Sequence, residues 1–342
     1  MKSFNEIIYD VTKFGRKIKT SDYMGNGKYP IIDQGKNLIS GYTNEENGIF
    51  VDVPAIIFGD HTRILKYIDT PFFLGADGTK ILKAKNENCN LKFIYYALKN
   101  IKIPDTGYNR HYKWLKESSI IYPAIEHQDK IVNILDRITS IITLKKQQLV
   151  FLEKLKHSLF VEMFGDFVEN PKCYKKEPIE THVDLLSGYP FKSSQYVDVG
   201  INICGGLIIM PQTIKWEDCL HWESTDGYEE YMLQENDIVM ALDRPWISDG
   251  FKIAKVDAEH LPALLIQRTA RIRAIDINQE YLYYCFIIGG FERHSSITGS
   301  LVPHISLKDI RSFQILIPPL KLQEQFADIV GKIDKHKFPI LD

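Results

Sequence analysis

KWLKESSIIYPAIEHQDKIVNILDRI, at 113–138, lines up without a gap against KDIRSFQILIPPLKLQEQFADIVGKI, at 308–333. Lys113 matches Lys308, Pro123 matches Pro318, Gln128 matches Gln323, Ile134 matches Ile329 and Ile138 matches Ile333. Upstream, NLKFIYYAL (90–98) is similar to NQEYLYYCF (278–286), sharing the Asn and the Tyr-Tyr pair. Thr106-Gly107 and Thr298-Gly299 follow at similar distances. The offset drifts by a few residues between blocks, as it does when loops differ in length. Three blocks in the same order mark a duplicated module, with a period far longer than that of a solenoid.

Each copy has the same grammar. A mixed region rich in Gly and aromatics comes first, with short β-like runs such as AIIF (55–58) and DIVMAL (237–242). A short helix around the Tyr-Tyr pair follows, then a strand-like run that ends in proline. After Pro123 the character changes. From about Glu126 to Phe164 there is no Gly or Pro, and apolar residues recur at intervals of three and four. Ile131, Ile134, Leu135, Ile138, Ile141, Ile142, Leu149, Leu152, Leu155, Leu159 and Met163 form this stripe, and Gly165 stands where a C-cap belongs. One helix of this length is roughly 58 Å long and needs a partner helix, most simply in a coiled coil. The pattern also fits two shorter helices with a kink near 143–148, where Lys145, Lys146, Gln147 and Gln148 interrupt the stripe.

The bulk numbers fit two domains and a connector: 342 residues, 44% apolar and 25% charged, an ordinary globular composition. A net charge of −2 does not announce a nucleic-acid binder, although basic groups gathered on one face suffice for one. The opening MKSFNEIIYD has no apolar signal core, and no apolar run reaches the roughly 18 residues of a membrane span. Five widely spaced cysteines without a CxxC pair read as reduced thiols, with neither a disulfide framework nor a zinc site. A cytoplasmic location is expected.

Two modules joined by a long helix, with the junction repeated near the C-terminus, resemble the specificity subunit of type I restriction-modification systems. The junctions IYPAIEHQDKIV (121–132) and LIPPLKLQEQFADIV (316–330) carry the resemblance most strongly. LSGYPFKSSQYVDVGINI (186–203), DIVMALDRPWISDG (237–250), LLIQRTARIRA (264–274) and YPIIDQGKNLISGY (29–42) add to it. The resemblance implies an α+β fold with two mixed α/β target-recognition domains, at 1–122 and 166–317. A long conserved helix at 123–165 joins them, and a shortened second conserved helix at 318–342 pairs with it in an antiparallel coiled coil. It further implies that each domain reads one half of a split, asymmetric site on double-stranded DNA, with the helices fixing the gap. Two methyltransferase subunits, and restriction/translocase subunits, are the implied partners. S-adenosylmethionine, ATP and Mg would belong to those partners and not to this chain.

Base identity is read mainly in the major groove by Arg, Asn and Gln, while phosphate contacts position the protein. Polar and basic loop residues interleaved with aromatics are therefore the candidates. In the first module they are His61 and Arg63 of GDHTR, and Asn109, Arg110, His111 and Lys113 of TGYNRHYKW. In the second they are Lys192 and Ser193 of GYPFKSSQY, Arg244 of DRPW, and Arg293 and His294 of FERHSSITGS. For each, a solvated loop residue or a stabilising ion pair is the competing interpretation. Arg244 sits between Asp243 and Pro245-Trp246, which equally suit a rigid turn. Arg268 falls in a predicted buried strand and is expected to pair with an acidic neighbour. The Tyr-Tyr pairs are expected to pack their helices, not to stack on bases.

No catalytic motif competes. There is no GxxxxGK[ST] phosphate loop and no HExxH, and Asn170-Pro171-Lys172 is the nearest approach to a methyltransferase Asn-Pro-Pro-aromatic motif. Glu45-Glu46 and Glu229-Glu230 are adjacent pairs that suit solvated charge better than acid/base work. One departure from the family pattern stands out. After Ile333 the chain reads DKHKFPILD, and Pro339 closes off further helix. The seam of Ile131, Ile134, Ile138, Ile141 and Ile142 is thus expected to lack an intramolecular partner and to be covered by a second chain. Leu149, Leu152, Leu155 and Leu159 continue this helix interface. A shortened allele, or a scaffold that binds methyltransferase subunits without reading DNA, is the alternative; a self-contained DNA-modifying enzyme is the third reading.

Overall fold

The computed structural model describes residues 1–75, 77–107, 109–294 and 304–335, without the side chain of Arg293. The chain divides into two compact units, Met1–Lys145 and Lys146–Asp342. In unit 1 the strands of the two larger sheets are β1 (Ile8–Asp10), β2 (Tyr29–Ile32), β3 (Gly41–Thr43), β4 (Ala55–Gly59), β5 (Leu65–Ile68), β6 (Phe73–Leu74) and β7 (Thr79–Ala84). They form a four-stranded sheet of order β1-β7-β4-β5 and a three-stranded sheet of order β3-β2-β6, in which β2 and β6 are parallel. The central strand β4 reads AIIFG and is buried along its whole length, as a run of β-branched and aromatic residues between two layers requires. Helix α1 (Leu91–Lys99) and the first half of α2 (Ile125–Phe164) complete the unit.

Unit 2 repeats this plan. The strands of its two larger sheets are β8 (Val183–Ser187), β9 (Ile201–Cys204), β10 (Leu220–Trp222), β11 (Ile238–Ala241), β12 (Ile253–Lys255), β13 (Ala263–Leu265) and β14 (Thr269–Ala274). The sheets run β8-β14-β11-β12 and β10-β9-β13, again with the β9–β13 pair parallel. Register agrees as well: Gly59 faces Thr79 in unit 1, and Ala241 faces Thr269 in unit 2. Helices α3 (Gln279–Ile288) and α4 (Leu320–Lys335) take the places of α1 and the start of α2.

The residues that matched in the sequence do the same work twice. Asn90 caps α1, its side chain accepting from the backbone N–H groups of Lys92 and Phe93; Asn278 caps α3 through Glu280 and Tyr281. Gln128, almost fully buried, accepts the Asn90 N–H at 3.0 Å and donates to the Pro123 carbonyl at 2.8 Å. Gln323 makes the same bridge, to Asn278 at 2.8 Å and Pro318 at 2.8 Å. Each glutamine thus satisfies a helix-start donor and a junction carbonyl that burial would otherwise leave unpaired.

Helix α2 is one continuous helix of 40 residues and not two shorter ones. It ends at Gly165 in the left-handed conformation (φ 84°), where a Cβ would stand 2.9 Å from Pro171. Its last two turns are anchored by Phe160 and Phe164, both fully buried against Tyr281, Tyr284 and Phe326. Helix α4 runs antiparallel to this end, since Asp334 pairs with Lys156 at 3.1 Å while Phe326 meets Phe160 and Phe164. Elsewhere the apolar stripe of α2 is open: Ile131 is 37% and Ile134 58% exposed, and Ile138, Ile141, Ile142, Leu149 and Leu155 are exposed too. Leu152 and Leu159 are half-buried. Among the described residues no helix is long and apolar enough to cross a membrane.

Candidate nucleic-acid interface

In unit 1 the β4–β5 hairpin supplies His61 and Arg63. The turn is tight, because Gly59 leaves no room for a Cβ beside Thr62 Oγ1 and Gln34. Arg63 adopts a left-handed backbone (φ 62°) and its guanidinium lies 2.8 Å from Asp105. The Gly107 N–H, with Arg63 second, holds the Asp105 carboxyl below its ordinary range. Beside this pair, a cleft of about 600 Å³ gathers Lys36, Arg63, Lys99 and Lys102 over Ile101 and Ile103. Lys36, Lys99 and Lys102 were not among the sequence candidates. Their separation in the chain hides the cluster.

His111 is corrected by its burial. It is 0% exposed, its Nδ1 lies 3.0 Å from the Asp60 carbonyl, and its ring packs on Trp114 at 5.4 Å. The Asp60 carboxylate in turn accepts the Tyr112 N–H at 2.8 Å. His111 therefore cannot touch a ligand from this position; it ties the 105–111 loop to the hairpin. Asn109, Arg110 and Lys113 are exposed on or beside that loop. Asn109 donates to the Thr106 carbonyl at 2.5 Å, and the Lys113 ammonium lies 4.1 Å from the Trp114 ring.

Unit 2 builds its counterpart from the β11–β12 hairpin and the β13–β14 turn. A cavity of about 510 Å³ collects Asp243, Arg244, Lys252, Gln267 and Arg268, with Asp218 and an apolar wall that includes Leu207. Arg244 (φ 45°) and Arg268 (φ 62°) both adopt left-handed backbone, an unfavourable state for a residue with a Cβ that surrounding contacts must maintain. Asp243 stands 3.1 Å from Arg268 Nη1 and 2.7 Å from His304 Nδ1. The acidic partner expected for Arg268 is present, but the buried strand is not: Arg268 lies in the turn, its side chain 74% exposed.

Beneath each hairpin a buried lysine ties the loop after the neighbouring sheet. Lys66 donates to the Asp33 carbonyl at 2.7 Å, just beyond β2, and Lys252 donates to the Gly206 carbonyl, just beyond β9. Burial pulls both ammonium groups below their ordinary range, reinforced at Lys252 by the charge of Arg244 and opposed at Lys66 by Asp33. These are framework groups.

The remaining candidates of unit 2 do not converge on the cavity lining. Lys192 and Ser193 are exposed on the segment before β9. His294 closes a short helix, its Nε2 3.1 Å from both the Asp309 carbonyl and Ser312 Oγ, with its ring against Phe313 at 5.4 Å. It fastens two helix ends while remaining exposed. The Arg293 side chain lies outside the described residues. The Tyr-Tyr pairs pack as expected: Tyr283 and Tyr284 are buried in unit 2, and Tyr96 donates to Asp136 on α2 at 2.6 Å.

Two copies of one mixed fold, with Arg63 on a left-handed turn in unit 1 and Arg244 and Arg268 on such turns in unit 2, define a protein built from a duplicated domain. The family model described as "Type I restriction modification DNA specificity domain" matches residues 6–154 and 217–341. The chain belongs to this family, whose members are non-catalytic DNA-recognition subunits of type I restriction-modification systems. It is 30% identical over 205 residues to the EcoAI type I specificity subunit of Escherichia coli, a match covering 57% of this chain and 34% of that one. It is 24% identical over 356 residues to the EcoR124I/EcoR124II specificity subunit of Escherichia coli, covering 95% and 85%. The fold is similar to that of the type I S subunit from M. genitalium, with a TM-score of 0.62, 16% identity, and coverage of 98% and 89%.

Proposed function

We propose that the two units read the two halves of a bipartite, asymmetric site on double-stranded DNA, unit 1 through the loops carrying His61, Arg63, Asn109, Arg110 and Lys113, and unit 2 through those carrying Arg244, Lys192 and Ser193. One observation carries this reading: strand order and register are repeated, while the hairpin loops they carry differ, GDHTR in unit 1 and LDRPW in unit 2. A shared frame with divergent tips suits two readers of different sequence. The division of labour follows the four segments, with 1–122 and 166–317 as readers, 123–165 as spacer, and 318–342 as the segment that carries the second helix, α4.

Catalysis is supplied in trans. Methyltransferase subunits, two in the assembled complex, and restriction subunits dock on the helical scaffold in the cytoplasm. The open seam from Ile131 to Ile142 is covered there by a second chain, either a methyltransferase subunit or another copy. A monodisperse monomer at tens of micromolar without detergent contradicts that covering. Family matches in both units support the reader over a scaffold that does not read DNA.

The test is a methylome. The chain is expressed with its methyltransferase partner in a host lacking DNA methylation, and modified adenines are mapped by single-molecule sequencing. A split, asymmetric motif modified on both strands is the expected result. An unmodified genome, with both proteins soluble and associated, overturns the reading.

A further inference from the structure

We propose that unit 2 reads a G·C base pair through Arg268, with Asp243 as the group that orients it. This inference rests on the DNA-reading role of unit 2 and names the residue and the base pair that role depends on. Arg268 presents its guanidinium, 74% exposed, to solvent from a left-handed turn immediately before β14, a conformation that costs energy. Asp243 Oδ2 holds one edge of that guanidinium at 3.1 Å, and Asp243 Oδ1 is itself fixed by His304 at 2.7 Å. Backbone contacts add to the clamp: Asp243 bridges His304, and the Leu242 N–H donates to the Arg268 carbonyl at 3.0 Å. Arg268 is therefore a planar donor fork held at one edge and free at the other.

The electrostatics choose between the two things such a fork can contact. Asp243, held 3.1 Å from Arg268, offsets the charge of that guanidinium, so a phosphate gains less there than at an arginine without a carboxylate partner. A base edge carries no net charge. Guanine offers two acceptors, O6 and N7, spaced for an arginine fork, and the cytosine opposite offers an amino donor that a carboxylate accepts. Arg268 and Asp243 together match that pattern. Arg244, exposed beside the buried ammonium of Lys252, has the opposite surroundings, since two cations there favour a phosphate. The two arginines of one cavity thus take different roles, Arg268 specifying and Arg244 positioning.

The experiment uses the full chain with its methyltransferase partner. Modified motifs are mapped for the parent, Arg268→Ala, Arg268→Lys and Arg244→Ala, and DNA affinity is measured against salt for each. Arg268→Ala is expected to make one G·C position in one half-site degenerate, with discrimination there falling roughly tenfold to a hundredfold. Arg268→Lys keeps the charge but loses the fork, and is expected to behave like Arg268→Ala. Asp243→Asn is expected to relax the same position to a smaller extent. Arg244→Ala is expected to leave the motif intact, weaken binding to all sequences and lower the salt slope by about one contact. An unchanged motif in Arg268→Ala, in a protein that still melts like the parent, overturns the inference. So does a uniform loss of binding with the motif preserved. If the parent shows no bipartite motif at all, the DNA-reading role fails and this inference falls with it.

Discussion

Units 1 and 2 differ least where they are buried and most where they are exposed. The Gln128 and Gln323 bridges reproduce each other bond for bond, and Lys66 and Lys252 both tie the loop beyond the same strand of the smaller sheet. The hairpin acids have diverged. Asp60 is almost fully buried and is closed off by His111, so unit 1 turns to Asp105 to hold Arg63. Asp243 is partly exposed and serves His304 and Arg268 at once. A duplicated frame of buried hydrogen bonds tolerates little change, because each lost partner strands a buried polar group. The tips are free to vary, and that is where recognition resides.

The helical layer shows a second contrast, and it gives the largest expected effect. Ile131 and Phe326 are aligned in the repeat, yet Phe326 is fully buried under Phe160 and Phe164 while Ile131 is 37% exposed. Phe326→Ala is expected to cost about 3–5 kcal/mol in chemical denaturation, as large-to-small changes in a closed core do. Ile131→Ala is expected to cost no more than about 1 kcal/mol. Equal losses would break the distinction between a closed and an open helical face. Next in size are Gln128→Ala and Gln323→Ala, each expected to cost about 2–3 kcal/mol for two stranded backbone groups. Here the account needs similar values in the two units, and a bridge that costs nothing in one of them shows that the frames are not equivalent.

How far the sequence reached follows the same division. Proline, glutamine and asparagine matched across the repeat because buried backbone satisfaction constrains residue type. The long helix and its glycine cap were legible from the apolar period and the absence of breakers. The stripe marked Leu159 and Met163, one place short of the anchors Phe160 and Phe164, because period alone does not say which side of a stripe meets a neighbouring core. His111 and Arg268 were misplaced for a tertiary reason. Nothing in TGYNRHYKW reveals that an imidazole closes on a carbonyl 51 residues upstream. LLIQRTARI reads as one strand, and only the backbone shows the left-handed break at Arg268.

The smallest expected effect sharpens the contrast at the tips. Asp105→Ala removes the partner of Arg63 at an exposed pair, so the melting temperature is expected to stay where it is. The modified motif is expected to relax in the half read by unit 1 alone. A change in the other half would mean that the tips are coupled, and the two units would no longer be independent readers.

That independence is tested most directly by exchange. Residues 1–122 are replaced with the matching segment of a relative of different specificity, and modified adenines are mapped in a methylation-free host. One half of the motif is expected to change while the other half and the gap stay as they were. A motif altered in both halves, or in neither, with the exchanged protein folded and bound to its methyltransferase, contradicts that independence.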